Sequence, residues 1–223
     1  MVQSDMMIKI KGYLFSLLLR SQNLTWRVQV QGRENLDQLY ADRKHFLLCF
    51  WHGKYLPIFP LLEGYQACIV SSQSERGSVI SEVCRNFGYQ SVQIPDRPSR
   101  NSLKLFKHIL TDVPAAATAV DGPLGPREQV KSGIIQTASM LNIELLPVSI
   151  ASQKKFILRN RWDQMEIPLP FSAVNLIIGE AMSVPARLQP RQVKEWSRKL
   201  TDAISTLDKQ ADQWASNTSG VHR

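Results

Sequence analysis

The stretch KHFLLCFWHGKYLP, Lys44 to Pro57, runs through apolar residues from Phe46 to Trp51 and then breaks at His52, Gly53, Lys54 and Pro57. An unbroken apolar run too short for a helix reads as a strand buried on both faces, and such strands belong to parallel sheets covered by helices on either side. The run also delivers a histidine just past its carboxyl end. Outward from it, strand and helix patterns alternate. TWRVQVQG (25–32) shows a period of two, and ACIVS (67–71), YQSVQI (89–94), AAATAV (115–120), IELLPVSIA (143–151) and VNLIIG (174–179) are further strands. Residues 78–87 place Val79, Ile80, Val83, Cys84 and Phe87 on one helical face, with Gly88 as the stop. Helices are also expected at 101–110, where Leu103, Phe106 and Leu110 align, and at 134–141. After Pro190 an amphipathic helix carries Val193, Trp196, Leu200, Ile204, Leu207, Ala211 and Trp214. The alternation predicts a single α/β domain, a mostly parallel sheet flanked by helices. An N-terminal amphipathic helix (1–24) is expected to precede it (25–185), and a C-terminal helix and tail (186–223) to follow.

The composition narrows the function. An apolar share of 43% and a charged share of 21% are those of a globular chain, and 223 residues suffice for one sizeable core. Cys49, Cys68 and Cys84 sit in apolar surroundings without metal-ligand spacing, so they read as core thiols of a reducing compartment, and no metal site is expected. A net charge of +8 favours an anionic partner: nucleic acid, an anionic membrane surface or a phosphate-bearing molecule. A recognition helix or aromatic-basic strand pattern for nucleic acid is missing. The N-terminal MMIKIKGYLFSLLLR has an apolar run, Tyr13 to Leu19, far shorter than the roughly 20 residues of a spanning helix. It lacks the small-residue site of a cleaved signal peptide. Flanked by Lys9, Lys11 and Arg20, it suits a helix lying at a membrane interface, and it suits equally a helix packed on its own domain.

Several stretches have the makings of a site. His52 and Asp121 both follow strand ends, the edge at which open α/β sheets bind ligands. A histidine there takes a proton near neutral pH or is a satisfied structural group. In AVDGPLGPREQVKSG (119–133), prolines and glycines stiffen a loop that offers Arg127 and Lys131 to an anionic group. IPDRPSRN (94–101) carries Arg97, Ser99 and Arg100 at a strand-to-helix turn suited to phosphate. RNRWDQMEIPLPFS (159–172) offers Trp162, Pro168, Pro170 and Phe171 as an apolar ledge, with Lys154, Lys155, Arg159 and Arg161 as a basic rim.

Taken in order, FWHGKYLP, VSSQSERGSVIS, DGPLGPR, KSGIIQTA, LLPVSIA and WDQMEIPLPFS resemble the small bacterial branch of the lysophospholipid acyltransferase superfamily, from about Thr25 to Pro185. Some members of that branch are linked to secondary acylation of lipid A. The resemblance implies acyl transfer from acyl-CoA or acyl carrier protein to a lipid hydroxyl, at the cytoplasmic face of the inner membrane, with no bound cofactor. By the same resemblance His52 is the general base. Asp121, Gly122 and Arg127 fill an acidic-glycine-arginine motif, Arg97 a basic motif, and Pro147 the late proline, while Ser99 and Lys131 are added to the substrate-binding residues from the loop chemistry above. The chain departs from the pattern in three places. Pro57 stands where a His-x4-Asp motif has its aspartate, Glu75-Arg76-Gly77 where the branch carries Asp-Gly, and Arg97-Pro98-Ser99-Arg100 where it carries Arg-Gly-Ser-Ser. The carboxylate that orients His52 must then come from elsewhere, with Asp121 or Glu75 as candidates. The departures leave a second expectation open: a non-catalytic lipid-binding protein on the same fold.

Overall fold

A computed structural model describes residues 2–95 and 100–217. In chain order the elements are α1 (Val2–Asn23), β1 (Arg27–Gln31), α2 (Arg33–Ala41), β2 (Phe46–Phe50), α3 (Ile58–Leu61), β3 (Ala67–Ser72), α4 (Glu75–Asn86), β4 (Gln90–Ile94) and α5 (Arg100–Asp112). They continue with β5 (Ala115–Ala119), α6 (Ser132–Leu141), β6 (Glu144–Ser152), β7 (Lys155–Ile157), β8 (Glu166–Pro168), β9 (Ala173–Ile178), β10 (Met182–Ser183) and α7 (Pro190–Asn217). The main sheet runs β1-β9-β6-β2-β5-β3-β4, with β10 on β6, while β7 and β8 form a separate hairpin. Pairing is parallel except for β6 with β9 and with β10, and within the β7–β8 hairpin. The expected α/β sheet is present. The hairpin, β10 and the short helices α2 and α3 are additions: each is brief, and α2 buries only Leu36 and Leu39 of its nine residues.

The pleat sorts the core into two layers. Phe46, Leu48 and Phe50 face one side, where Leu19 of α1, Leu36 of α2, Phe59 of α3 and Val83 of α4 close over them. Leu47, Cys49 and Trp51 face the other, against Ile109 of α5, Ile135 of α6 and Val193, Leu200 and Ile204 of α7. Each of the aliphatic side chains that α7 buries there contributes about 2 kcal/mol. Burial inside these layers keeps the thiols inert, holding Cys68 up at about 11.

Two features fix what happens at the carboxyl edge. The alanine strand β5 lies between β2 and β3 with Phe50 opposite Ala119, so the residues two further on, His52 and Asp121, leave the sheet side by side. Pro147 sits within β6, where that strand's pairing passes from β2 (through Pro147) to β9 (from Val148). Its missing N–H costs no ladder bond at that change of partner. Pro147 is buried in the strand, and its carbonyl accepts from Gly179 N at 2.8 Å, so it serves the sheet and not the ligand edge expected from the resemblance.

Gly32 shows how tight the joints are. Its φ is +70°, and a Cβ there would lie 2.0 Å from the Ile178 carbonyl oxygen. Gly32→Ala combines a left-handed backbone with a clash against main chain. It is expected to lower the unfolding free energy by at least about 2 kcal/mol, read as a lower urea midpoint at unchanged slope.

Candidate active site

The turn after β2 carries the site. Trp51 is buried, His52 retains 25% side-chain exposure, and Lys54 is almost wholly covered. His52 Nδ1 lies 2.8 Å from Asp163 Oδ2, and that carboxylate is fully buried. Arg161 grips the same carboxylate twice, Nε to Oδ1 at 2.9 Å and Nη2 to Oδ2 at 2.7 Å. An ionised carboxylate only accepts, so Nδ1 carries the proton and Nε2 presents a lone pair. Nε2 makes no hydrogen bond among the described residues, and the ring sits between Tyr55 and Trp162, with centroids 5.4 and 5.3 Å away. The result is an imidazole whose tautomer is set from behind by a carboxylate, itself held by an arginine.

The segment that supplies Asp163 is clamped to the histidine turn by backbone. A Cβ on Gly53 would lie 2.3 Å from the Asp163 carbonyl oxygen, and Glu166 N donates to Gly53 O at 2.8 Å. Only glycine lets the two chains approach so closely. On its other side Trp162 lies against Gly125, where a Cβ would come within 2.7 Å of the indole. The DGPLGPR loop, the histidine turn and the WDQ segment therefore meet at one place.

Asp121 has a different task from the one expected of it. It is fully buried, and its carboxylate accepts from His52 backbone N at 2.9 Å and Glu128 N at 3.2 Å. Burial raises its pKa, and these two amides offset part of that rise. Asp121 thus fixes the main chain under His52 and the far end of its own loop, and makes no hydrogen bond to the imidazole among the described residues. Glu75, the other candidate, starts α4 and pairs at the surface with Lys11 at 3.3 Å. The carboxylate that meets the ring is Asp163. Its sequence signal was the WDQMEIPLPFS segment, whose specificity was visible but whose contact with a histidine 111 residues away was not.

The remaining expected residues divide. Arg127 is half-buried and bound to Gln164 Oε1 at 2.9 Å and Glu128 at 2.6 Å, at the loop's edge near the WDQ segment. Gly122 turns with φ +71°, and a Cβ there would meet the Lys131 side chain at 3.4 Å. Lys131 Nζ donates to Gly125 O, so its ammonium staples the loop. Arg97 and Ser99 lie outside the described residues. Of the expected basic rim, Arg161 holds Asp163, and Lys155 is tied to Glu166 at 2.8 Å. Beneath the turn, Asp208 of α7 accepts from Trp51 Nε1 at 2.8 Å, from Lys54 Nζ at 2.9 Å and from Ser149 Oγ. Burial pulls Lys54 down, but Asp208, Glu166 and Asp212 more than reverse this and keep it an ammonium.

No family model matches the sequence. A protein of Rickettsia prowazekii (strain Madrid E), described as uncharacterized, is 25% identical over 152 residues, which is 66% of this chain and 68% of that one. Among solved structures, the 1-acyl-sn-glycerophosphate (LPA) acyltransferase PlsC of Thermotoga maritima matches with a TM-score of 0.53 at 19% identity, over 91% of this chain and 79% of that one. The chain has a glycerolipid acyltransferase fold. At that identity the likeness speaks for the fold, and the chemistry has to be argued from the residues.

Burial pushes Asp163 up, while the bonds from Arg161 and His52 outweigh it and leave the group below its ordinary value. A carboxylate with a depressed folded pKa contributes stability above its unfolded value, about 3.9, and loses it as pH falls through the folded one. Arg161→Met removes the strongest lowering partner. Acid unfolding followed by circular dichroism is then expected to begin at higher pH than in the parent, and an unchanged profile would show that Arg161 does not set Asp163.

Proposed function

We propose that the chain transfers a fatty acyl group from a thioester donor, acyl-CoA or acyl carrier protein, to a hydroxyl of a phosphorylated lipid, a lysophospholipid or a lipid A precursor. The observation that carries this reading is the Arg161–Asp163–His52 chain, ending in a bare Nε2 at the open edge of an acyltransferase-type sheet. The acceptor hydroxyl gives its proton to Nε2 as its oxygen attacks the thioester carbonyl carbon. The C–S bond then breaks, and the leaving sulfur takes the proton from the imidazolium. Asp163 stays ionised throughout and holds the ring for both transfers. A thiolate leaves readily, so the steps balance without an acyl-enzyme. The acceptor's phosphate is assigned to Arg127, together with Arg97 and Ser99.

The same reading makes the chain a peripheral protein of the cytoplasmic face of the inner membrane, with an anionic lipid surface as partner. What supports it is the outer face of α1, where Met6, Met7, Ile10, Tyr13, Leu14, Leu17 and Leu18 are all exposed. Leu24 and Phe171 extend this apolar surface at 87% and 71% exposure, and Phe171 N donates to Thr25 Oγ1 beside Leu24. Patches of this kind mark lipid or protein contacts. Among the described residues, no helix is long and apolar enough to cross a membrane.

Two experiments bear on these points. Purified protein, a labelled acyl thioester and a panel of lysolipids are expected to yield acylated product. His52→Ala should abolish turnover with an unchanged far-ultraviolet spectrum, and Asp163→Asn should lower kcat by about two to four orders of magnitude. Turnover retained in His52→Ala removes that residue from the mechanism, and lysolipid binding without transfer by the parent favours the non-catalytic reading. In vesicle flotation, Leu14→Glu with Leu18→Glu is expected to weaken partitioning onto phosphatidylglycerol-containing vesicles by more than about tenfold, since two exposed leucines lose their apolar transfer.

A further inference from the structure

We propose that the cleft between the start of α6 and the first half of α7 binds the phosphate-bearing nucleotide end of a coenzyme A thioester, an assignment that rests on the acyl-transfer reading. The cleft has a volume of about 610 Å³, within the usual range for small-ligand sites. One stripe of α7 lines it with Lys194, Ser197, Arg198 and Thr201, and the chain entering α6 faces them with Val130 and Ser132. The lining contains two cations, several hydroxyls and amides, and no carboxylate. Neither Lys194 nor Arg198 has an ion-pair partner within 4.0 Å among the described residues, whereas the neighbouring Lys199 is taken up by Glu195 at 3.0 Å. The first turn of α6 lacks a side-chain cap, because Lys131 at the N-cap position has no acceptor to offer, and its ammonium donates to Gly125 O. Two free cations beside an uncapped helix start are chemistry for phosphate.

The position of the cleft selects the donor over the acceptor. Its walls are elements of the α5–α6–α7 layer, while the exposed apolar surface of α1 belongs to the opposite layer of the sheet. A lipid headgroup entering here would leave its acyl chains against a polar, basic helix face. A water-soluble donor has no such conflict. The cleft is also joined to the histidine by a short path. Val130 N donates to Thr201 Oγ1 on the cleft wall, and two residues earlier Glu128 N shares the carboxylate of Asp121 with His52 N. The backbone of the cleft's edge and that of the base are therefore separated by the width of one carboxylate and its two hydrogen bonds. A nucleotide seated between α6 and α7 would let its pantetheine arm follow residues 128–131 to the open side of His52.

The test is calorimetric titration of the full chain with coenzyme A and with adenosine 3′,5′-bisphosphate, alongside steady-state kinetics with acyl-CoA. Lys194→Ala with Arg198→Ala, both exposed positions, is expected to weaken both ligands by at least about tenfold. It should raise the KM for acyl-CoA correspondingly and leave kcat within about twofold. His52→Ala should bind coenzyme A like the parent. If the double variant, folded by circular dichroism, binds coenzyme A as tightly as the parent, the inference falls, whatever happens to acyl transfer. Binding that depends on the cleft in a chain without acyl transfer overturns the functional reading and leaves the site standing. If only an acidic carrier protein, and neither coenzyme A nor the bisphosphate, loses affinity in the variant, the nucleotide assignment is overturned.

Discussion

A carboxylate taken out of water must collect hydrogen-bond donors or give up its charge, and that requirement organises the whole edge of this sheet. Three aspartates do so around one turn. Asp121 gathers the amides of His52 and Glu128, Asp163 the Nδ1–H of His52 and the guanidinium of Arg161, and Asp208 the indole of Trp51, the ammonium of Lys54 and a serine hydroxyl. Every residue from Trp51 to Lys54 is held by one of them or, at Gly53, by a backbone contact with the segment that carries Asp163. The histidine has little freedom left, and the open side of its ring is the part that remains available.

These contacts also explain why elements distant in sequence are indispensable. The WDQ segment and the β7–β8 hairpin lie far from His52 along the chain, yet the hairpin's Glu166 bonds to Gly53 and to Lys155. Helix α7 packs Leu200 and Ile204 on the sheet and, one turn further, inserts Asp208 beneath the turn. Buried apolar area gives α7 its place, and the carboxylate uses that place to fix the residues on either side of His52. Packing and electrostatics here are consecutive steps of one construction.

The two layers of the sheet have different outward characters. The layer built from α1 to α4 displays apolar side chains on α1, while the layer built from α5 to α7 displays a basic, hydroxyl-rich cleft. The acyl transfer proposed above, between a membrane-held acceptor and a soluble donor, would need access from two environments at once. A sheet whose edge holds His52, with unlike surfaces on its two sides, suits that need.

The strand-and-helix alternation, the layered core and the arrival of His52 and Asp121 at one edge were all legible from the chain, because apolar periodicity and register are local properties that burial reads directly. Boundaries moved by a few residues where caps decide them, as at Ser74, whose hydroxyl accepts from Gly77 N and starts α4 at Glu75, four residues before its apolar face begins at Val79. Residue types alone could not tell which carboxylate serves the imidazole. Asp121 follows a strand end and looked like the partner, but the parallel register sets its carboxylate under the main chain of His52. Asp163 reaches the ring only because Gly53 lets a distant backbone approach it. Lys131 and Pro147, read as ligand contacts, are used by the loop and the sheet. The sequence by itself determined the fold and the arrival of His52 at the sheet edge; the tertiary structure alone decided what orients the imidazole, since that depends on contacts whose chain separation leaves no local trace.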